Sequence, residues 1–199
     1  MAHRLECACG TVQGAVELGA PVNHLVCYCR DCQAYAGFLG RAGDILDTRG
    51  GSEIIQTLPK SVSFSQGADK LACVRMTGRG PLRWYASCCD TPIGNTALTP
   101  KVSFVGLVSA CLKKDPAPLD ADFGPVTGQV FTASAKGEPK PAATPIWKVA
   151  HKLIGMALKA RLDGSWRTNP FFDVRTGQPV AQPRTLSAEE RAEALAAVG

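Results

Sequence analysis

The amino-acid sequence predicts a mainly β fold with a C-terminal helical extension. Three observations support this prediction. Short segments with strand-like patterns, separated by glycine- and proline-containing turns, fill the chain from residue 7 to residue 112. Six of the 14 prolines then lie between residues 113 and 145, as in a surface connection. Beyond residue 145, apolar side chains recur at the spacing of a helix.

The predicted strands differ in how they are covered. In residues 11–18 and 61–65 the apolar side chains fall on one face, as in strands that are half buried. Residues 71–76 and 101–112 are apolar on both faces, which is typical of strands covered from two sides, although buried helices also contain such runs. We expect residues 1–112 to form a single β domain.

The rest of the chain divides into two predicted parts. Residues 113–145 form a proline-rich connection in which 125–134 is a candidate for one further strand of the same domain. Residues 146–199 form the helical extension. An aromatic segment at 166–173 is expected either to pin this extension to the β domain or to line a pocket beside a metal site.

Two helices are predicted in the extension. Apolar residues at helical spacing indicate an amphipathic helix over 146–162 that ends near Gly164. Its lysines lie mostly on the other side and form either a solvated face or a docking surface for an acidic partner or a membrane. Ser187 and Glu190 have the spacing of a capping box, which marks the start of the last helix.

Composition and charge exclude several classes of protein. Apolar residues make up 45% of the 199 residues, too many for a disordered polar chain. The net charge of +5, from 22 basic and 17 acidic residues, does not call for a nucleic-acid partner. No segment reaches the roughly 18 uncharged apolar residues of a membrane span, and the first residues do not resemble a signal peptide. We therefore expect a cytoplasmic protein without a membrane span.

The nine cysteines are the most informative feature of the sequence. Because nine is odd, they cannot all pair in intramolecular disulfides. In a reducing compartment, clustered thiols are more often metal ligands or reactive groups than disulfides. Seven of the nine lie in three tight groups, which are Cys7 and Cys9, then Cys27, Cys29 and Cys32, then Cys88 and Cys89. This clustering predicts metal binding.

The middle group has the pattern of a catalytic zinc site. Cys27, Cys29 and Cys32 supply three thiolates, which leaves the fourth position of a tetrahedral Zn²⁺ for water or a substrate thiol. Arg30, inside this motif, either offsets the negative charge of the site, binds a substrate carboxylate or lies in solvent.

The two outer groups predict a structural zinc site. Cys7 and Cys9 supply only two ligands, and the one other cluster in the sequence is Cys88 with Cys89. Together the four thiolates would tie the N-terminus to a segment nearly eighty residues away and contribute directly to folding. Zn²⁺ is thus expected at two sites in the chain.

Other interpretations of the cysteines remain open. An iron–sulfur cluster also uses thiolate ligands, and a redox-active thiol group needs no metal. Cys73 and Cys111 stand singly in apolar segments. We expect these two to pack in the core as small apolar side chains.

The order and spacing of the three groups resemble the glutathione-dependent formaldehyde-activating enzyme family, which includes centromere protein V. The resemblance covers about residues 3–112. The motifs that carry it are Cys7-x-Cys9-Gly10, Cys27-x-Cys29-x-x-Cys32-Gln33, and an aromatic residue followed by a cysteine-containing turn and Thr91-Pro92-Ile93.

This resemblance implies a fold, a ligand set and an activity. The fold is the Mss4-like zinc-binding β fold. The first and third motifs hold a structural zinc, and the second holds a catalytic zinc. The activity is that of a carbon–sulfur lyase, the reversible addition of glutathione to formaldehyde that gives S-hydroxymethylglutathione. The implied partner is thus a small-molecule thiol such as glutathione.

The chain departs from the family pattern at two positions. When the third motifs are aligned, Ala86 takes the place of the first cysteine and Asp90 that of a glycine, so that either Cys88 or another residue such as Asp90 must complete the structural site. Tyr28 stands where many relatives have histidine. With an ordinary pKa near 10, a tyrosine transfers protons poorly at neutral pH.

Two functions are therefore carried forward. The first is a zinc-dependent enzyme of the carbon–sulfur lyase type that acts on a thiol and a small aldehyde. The second is a zinc-stabilised binding module without catalytic activity, because one fold can serve both roles. An open coordination position on the middle cysteine group would favour the enzyme, and a fourth protein ligand there would favour the module.

Overall fold

The computed structural model describes residues 1–20, 22–113 and 118–199, so that residues 114–117 of the predicted connection, with Pro116, lie outside the described residues. The fold is mainly β and ends in helices, as predicted. The strands are β1 (Ala2–Glu6), β2 (Gln13–Glu17), β3 (Asn23–Cys27), β4 (Ser52–Thr57), β5 (Val62–Gln66), β6 (Leu71–Arg75), β7 (Leu82–Ala86), β8 (Thr91–Thr96), β9 (Val105–Val108), β10 (Gly128–Val130), β11 (Phe172–Asp173), β12 (Gln178–Pro179) and β13 (Arg184–Thr185). The helices are α1 (Arg30–Phe38), α2 (Ala42–Ile45), α3 (Leu119–Phe123), α4 (Ile146–Leu162) and α5 (Ala188–Ala196).

A large mixed sheet organises the molecule. Its strand order is β10-β3-β4-β9-β8-β7-β6-β13, and the six central strands pair with one another in antiparallel fashion. The two edge strands, β10 and β13, run parallel to β3 and β6 and come from the chain beyond residue 112. A second sheet has the order β1-β2-β5. Each of the three predicted parts of the chain, 1–112, 113–145 and 146–199, thus contributes at least one strand to the large sheet.

The main core contains side chains from both of these sheets. In β9, at the centre of the large sheet, all four residues are buried, as expected for a strand covered from two sides. Trp84 of β7 is fully buried, and its indole nitrogen donates to the Thr96 hydroxyl at 2.9 Å. Phe171 and Phe172 pack against this indole with ring centroids at 5.3 and 6.2 Å. The aromatic segment 166–173 therefore pins the C-terminal part to the core.

Cys73 and Cys111 lie in the same core, which confirms the prediction made for them. Cys111 donates its thiol to the Ile93 and Val108 carbonyls, at 3.4 and 3.2 Å. Burial raises the pKa of both thiols to about 12. Both side chains consequently remain protonated at neutral pH and act as packing groups.

The predicted C-terminal helices α4 and α5 are present, and three shorter helices, α1, α2 and α3, were not predicted. Helix α5 begins with the capping box: the Ser187 hydroxyl accepts from the Glu190 amide at 3.1 Å, and the Glu190 carboxylate accepts from the Ser187 amide at 2.8 Å. Helix α1 follows Cys29 directly, and a cysteine is not among the usual capping residues. None of the described helices has the length and hydropathy needed to cross a membrane.

Helix α1 packs on α5 through a close backbone contact. A Cβ atom added at Gly37 would lie 1.9 Å from the Ala194 carbonyl oxygen. We expect Gly37→Ala to lower the free energy of unfolding by about 1–3 kcal/mol, because one backbone must move away from the other. Chemical denaturation measures this loss. Gly43→Ala in α2 is the matched control, since nothing lies within 4 Å of the added Cβ; equal midpoints for the two variants would contradict the prediction.

Candidate metal centres

The structure brings the seven clustered cysteines into two groups. Within each group the sulfur atoms lie within 4.8 Å of one another. All nine cysteines of the chain are free thiols. The four-thiol group consists of Cys7, Cys9, Cys88 and Cys89, and the three-thiol group consists of Cys27, Cys29 and Cys32.

The first half of the four-thiol group is a tight turn after β1. The Gly10 amide donates to the Cys7 carbonyl at 3.0 Å, and Gly10 has a φ of 77°, in the left-handed region that favours glycine. The Val12 amide donates to the buried Cys7 sulfur at 3.2 Å. The Ala8 amide donates to the Thr91 hydroxyl at 2.9 Å, which holds this turn against the start of β8.

Cys88 belongs to the four-thiol group, whereas Ala86 and Asp90 do not. Its sulfur lies 3.4 Å from the Cys9 sulfur and 3.9 Å from the Cys7 sulfur. Ala86 is a buried residue of β7 and offers no donor atom. Asp90 follows the vicinal cysteines with a left-handed φ of 53°, where the chain turns into β8. The β7–β8 turn therefore contributes two thiols to the group.

The spacing of these four thiols fits a single metal ion. A tetrahedral ion with metal–sulfur bonds of about 2.3 Å requires sulfur–sulfur separations of about 3.8 Å. The Cys7–Cys9, Cys9–Cys88 and Cys88–Cys89 sulfur separations are 3.5, 3.4 and 3.9 Å. A disulfide would need about 2.05 Å. The group could therefore hold an ion enclosed by four thiolates.

The three-thiol group is built where β3 passes into α1. Cys27 is the last residue of β3, and Cys29 is the N-cap of α1. The Cys32 amide, in the first turn of α1, donates to the Cys29 sulfur at 3.4 Å. The partial positive charge at a helix N-terminus favours thiolates at this point. A strand end followed by a helix start thus explains why a C-x-C-x-x-C segment converges.

Arg83 is the residue of this site that the sequence analysis missed. It lies on β7, is 3% exposed, and its Nη1 atom donates to the Cys32 sulfur at 3.7 Å and to the Asn95 side-chain oxygen at 3.1 Å. Its guanidinium also lies over the Tyr35 ring, 5.3 Å from the centroid. The sequence signal for Arg83 was its position between Leu82 and Trp84 in an apolar segment. An arginine that is buried there needs a partner for its charge. Arg30, which was considered for this role, is exposed.

A cavity of about 350 Å³ opens onto the three-thiol group. The three thiols, Arg83 and Asn95 are among its lining residues, and most of the others are apolar. Helix α4 supplies one wall through Ile146, Val149, Ala150 and Leu153. The remaining apolar lining residues are Leu25, Ile54, Pro81, Phe104, Gly106, Val130 and Phe131. A ligand of the three-thiol group would therefore lie in apolar surroundings.

One protein-family model matches most of the chain. The model of a family of unknown function, DUF6151, matches residues 2–183. The chain belongs to the DUF6151 family. No curated protein matches it. The DUF6151 match includes both thiol groups, Arg83 and α4, and ends before α5.

In this DUF6151 chain the thiols of the three-thiol group have different pKa values. Hydrogen bonds from Cys27 and Cys29 hold the pKa of Cys32 well below its usual value, and Arg83 acts in the same direction. Hydrogen bonds to Cys29 and Cys32 raise the pKa of Cys27. An ion that takes all three thiolates therefore has to displace protons, which makes its binding tighter as the pH rises.

Tyr28, which lies between Cys27 and Cys29 in the sequence, is not among the residues that line the cavity. Its hydroxyl donates to the Asp47 carboxylate at 3.2 Å, and the residue is 4% exposed. Burial and the Asp47 charge raise the pKa of the phenol, which keeps it protonated at neutral pH. Its neighbours Cys27 and Cys29 line the cavity. In this DUF6151 chain Tyr28 is thus a buried hydrogen-bond donor.

Proposed function

We propose that this protein is a zinc-dependent enzyme of the carbon–sulfur lyase type, which adds a thiol reversibly to a small aldehyde. One observation carries the proposal: three thiols converge at a cavity without a fourth cysteine, histidine or carboxylate ligand among the residues that the structure describes. Three protein ligands and an accessible fourth position characterise catalytic zinc sites, whereas four ligands characterise structural ones. Glutathione and formaldehyde are the pair that the sequence resemblance implies.

The second zinc would be structural. The four-thiol group provides a complete set of ligands, and its two halves join β1 to the β7–β8 turn of the other sheet. Asp90 supports the alignment with the formaldehyde-activating family, because its left-handed φ of 53° occurs where the family motif has glycine. The Mss4-like fold belongs to the same proposal.

Each part of the three-thiol site has a role in this mechanism. Cys27, Cys29 and Cys32 would hold the zinc, which lowers the pKa of a thiol bound to it and so supplies a nucleophile at neutral pH. Three thiolates and a divalent cation carry a formal charge of −1, and the buried guanidinium of Arg83 offsets it. Asn95 fixes the guanidinium by accepting its Nη1 hydrogen bond.

The cavity determines which part of the substrates is enclosed. Its apolar walls lower the local dielectric constant and so strengthen the charge interactions at the thiols. Asp31, the carboxylate that lines the cavity, is bound by Arg191 at 2.6 Å. We expect the aldehyde and the thiol end of glutathione to lie inside, while the charged ends of glutathione remain at the mouth.

The rate of equilibration between glutathione and formaldehyde tests the proposal. We expect the zinc-loaded protein to accelerate it, as measured by exchange NMR, and Cys32→Ser to abolish the acceleration. Cys73→Ala is the matched control, because it removes a core thiol that belongs to neither group. A zinc-loaded wild-type protein that leaves the uncatalysed rate unchanged would contradict the proposal.

A zinc-stabilised binding module without catalytic activity is the second candidate. Tyr28 favours it, since its hydroxyl is bound to Asp47 and cannot serve as a base near the thiols at neutral pH. The lining of the cavity contains no histidine among the residues described. This candidate predicts both metal ions but no acceleration in the NMR experiment.

A further inference from the structure

Helix α4 is apolar on two opposite faces. Its inward face consists of Val149, Met156 and Ala160, which are all buried. Its outward face, which we call the outer stripe, consists of Trp147, Ile154, Leu158 and Leu162. Each residue of the outer stripe is between 57% and 80% exposed. A helix packed on a globular core normally has polar residues on its outward face.

The outer stripe follows the helix from its first turn to its last. Positions 147, 154, 158 and 162 lie on one side of an α-helix, and the 17 residues of α4 extend over about 25 Å. His151, the polar residue on this side, directs its Nδ1 atom to the Trp147 carbonyl at 3.1 Å. The outward face therefore offers a long apolar surface whose one imidazole already has a partner.

Positive charge flanks the outer stripe. Lys148, Lys152 and Lys159 lie on one side of it and Arg161 on the other, and α4 contains no acidic residue. Within the described parts of the chain, no carboxylate is ion-paired with any of these four cations. Asp163, which follows the helix, accepts from the Ser165 amide at 2.9 Å. Lys148 and Arg161 lie over the rings of Trp147 and Trp166, at 5.7 and 5.1 Å from the centroids. The hydrogen bonds from Ser165, helped by Lys159, lower the pKa of Asp163. The helix as a whole therefore presents a net positive charge to an anionic partner.

We propose that α4 docks on an anionic lipid surface, with the outer stripe inserted between the headgroups. Interfacial helices combine an apolar face containing tryptophan with lysines beside it, and they lie in the plane of the membrane. Lysine side chains extend their apolar stems along the helix and place the ammonium groups among the phosphates. Lipid covers an apolar stripe of this length without requiring a shaped partner.

A second copy of the chain fits this surface less well. A symmetric dimer through the outer stripe would bring two identical helices together. Each would carry four cations and no acidic residue, so that like charges would face each other without compensation. Docking on lipid does not depend on the proposed enzyme activity, because no residue of the outer stripe lines the cavity at the three-thiol group.

Sedimentation with vesicles tests this proposal. We expect the metal-loaded full chain to bind vesicles of phosphatidylcholine mixed with phosphatidylserine, more weakly at high salt, and not to bind phosphatidylcholine alone. The emission of Trp147 should shift to the blue on binding. Trp147→Phe should remove most of this shift while binding persists, which assigns the signal to this residue rather than to Trp84 or Trp166.

Two paired variants separate the apolar and the charged contributions. Ile154→Ser with Leu158→Ser should weaken binding at least about tenfold, because two apolar side chains no longer enter the membrane. Lys148→Glu with Lys152→Glu should have an effect of similar size on anionic vesicles. The matched control is Leu98→Ser with Lys101→Glu, at exposed positions outside the helix, which should bind like the wild type.

Three results would overturn the proposal. The first is the absence of vesicle binding by the wild type, which would leave an acidic protein as the partner of this surface. The second is equal binding by the wild type and the Ile154→Ser, Leu158→Ser variant, with both proteins folded by circular dichroism. The third is a wild-type dimer in gel filtration that this variant converts to a monomer.

Discussion

Replacing Cys7 with serine is expected to remove one metal ion per chain and to cost more than about 4 kcal/mol of folding free energy. The Cys7 sulfur is fully buried and accepts the Val12 amide at 3.2 Å. The four-thiol group is also a link between the small sheet and the β7–β8 turn of the large sheet. Because such a site does not exist in the unfolded chain, the free energy of metal binding is part of the free energy of folding.

Urea denaturation with and without a chelator measures this effect. The wild type should lose most of its stability when the chelator removes the metal, and Cys7→Ser should resemble the chelated wild type. Cys73→Ala provides the control, since it alters the same core away from the metal ligands. It should lower the midpoint modestly and keep the response to chelator. Wild-type metal content in Cys7→Ser would refute the assignment.

Replacing Arg83 with methionine is expected to weaken metal binding at the three-thiol group by about 10- to 100-fold. Methionine retains an apolar chain of similar length, but the cation beside the Cys32 sulfur is lost. Three thiolates around a divalent cation would then carry an uncompensated negative charge in a cavity with apolar walls. The four-thiol group, which does not include Arg83, should keep its affinity.

Competition with a chromophoric chelator measures the two affinities separately. Arg83→Lys should recover part of the loss, because lysine keeps the charge but not the planar guanidinium that bonds to Asn95. Arg30→Met is the matched control, as Arg30 lies in the same motif but is exposed. If Arg83→Met binds two ions as tightly as the wild type, Arg83 has no part in the site.

The features that could be predicted from the sequence are those set by local pattern. Alternation and two-sided apolar segments indicated the strands, and helical spacing with a capping box indicated α4 and α5. The spacing of the cysteines indicated which thiols lie together within one turn. Cys88 and Cys89 could be assigned to the same site as Cys7 and Cys9 because two thiolates are too few ligands for a zinc ion.

The features that were missed depend on contacts between distant parts of the chain. Arg83 reaches Cys32 across 51 positions, and no local pattern pairs them. Helix α1 is capped by the Cys29 sulfur, which does not belong to the usual capping residues. In α4, Ile154 and Leu158 have the same spacing as core residues, and only the tertiary structure shows that they face outward. The edge strand β13 has two residues, too few for any periodicity.

Native mass spectrometry of the wild type beside Cys32→Ser tests most directly whether the two thiol groups are separate metal sites. We expect two zinc ions in the wild type and one in Cys32→Ser, because the substitution removes a ligand of the three-thiol group and leaves the four-thiol group intact. One ion in both proteins would contradict the account, since it would mean that the three-thiol group binds no metal.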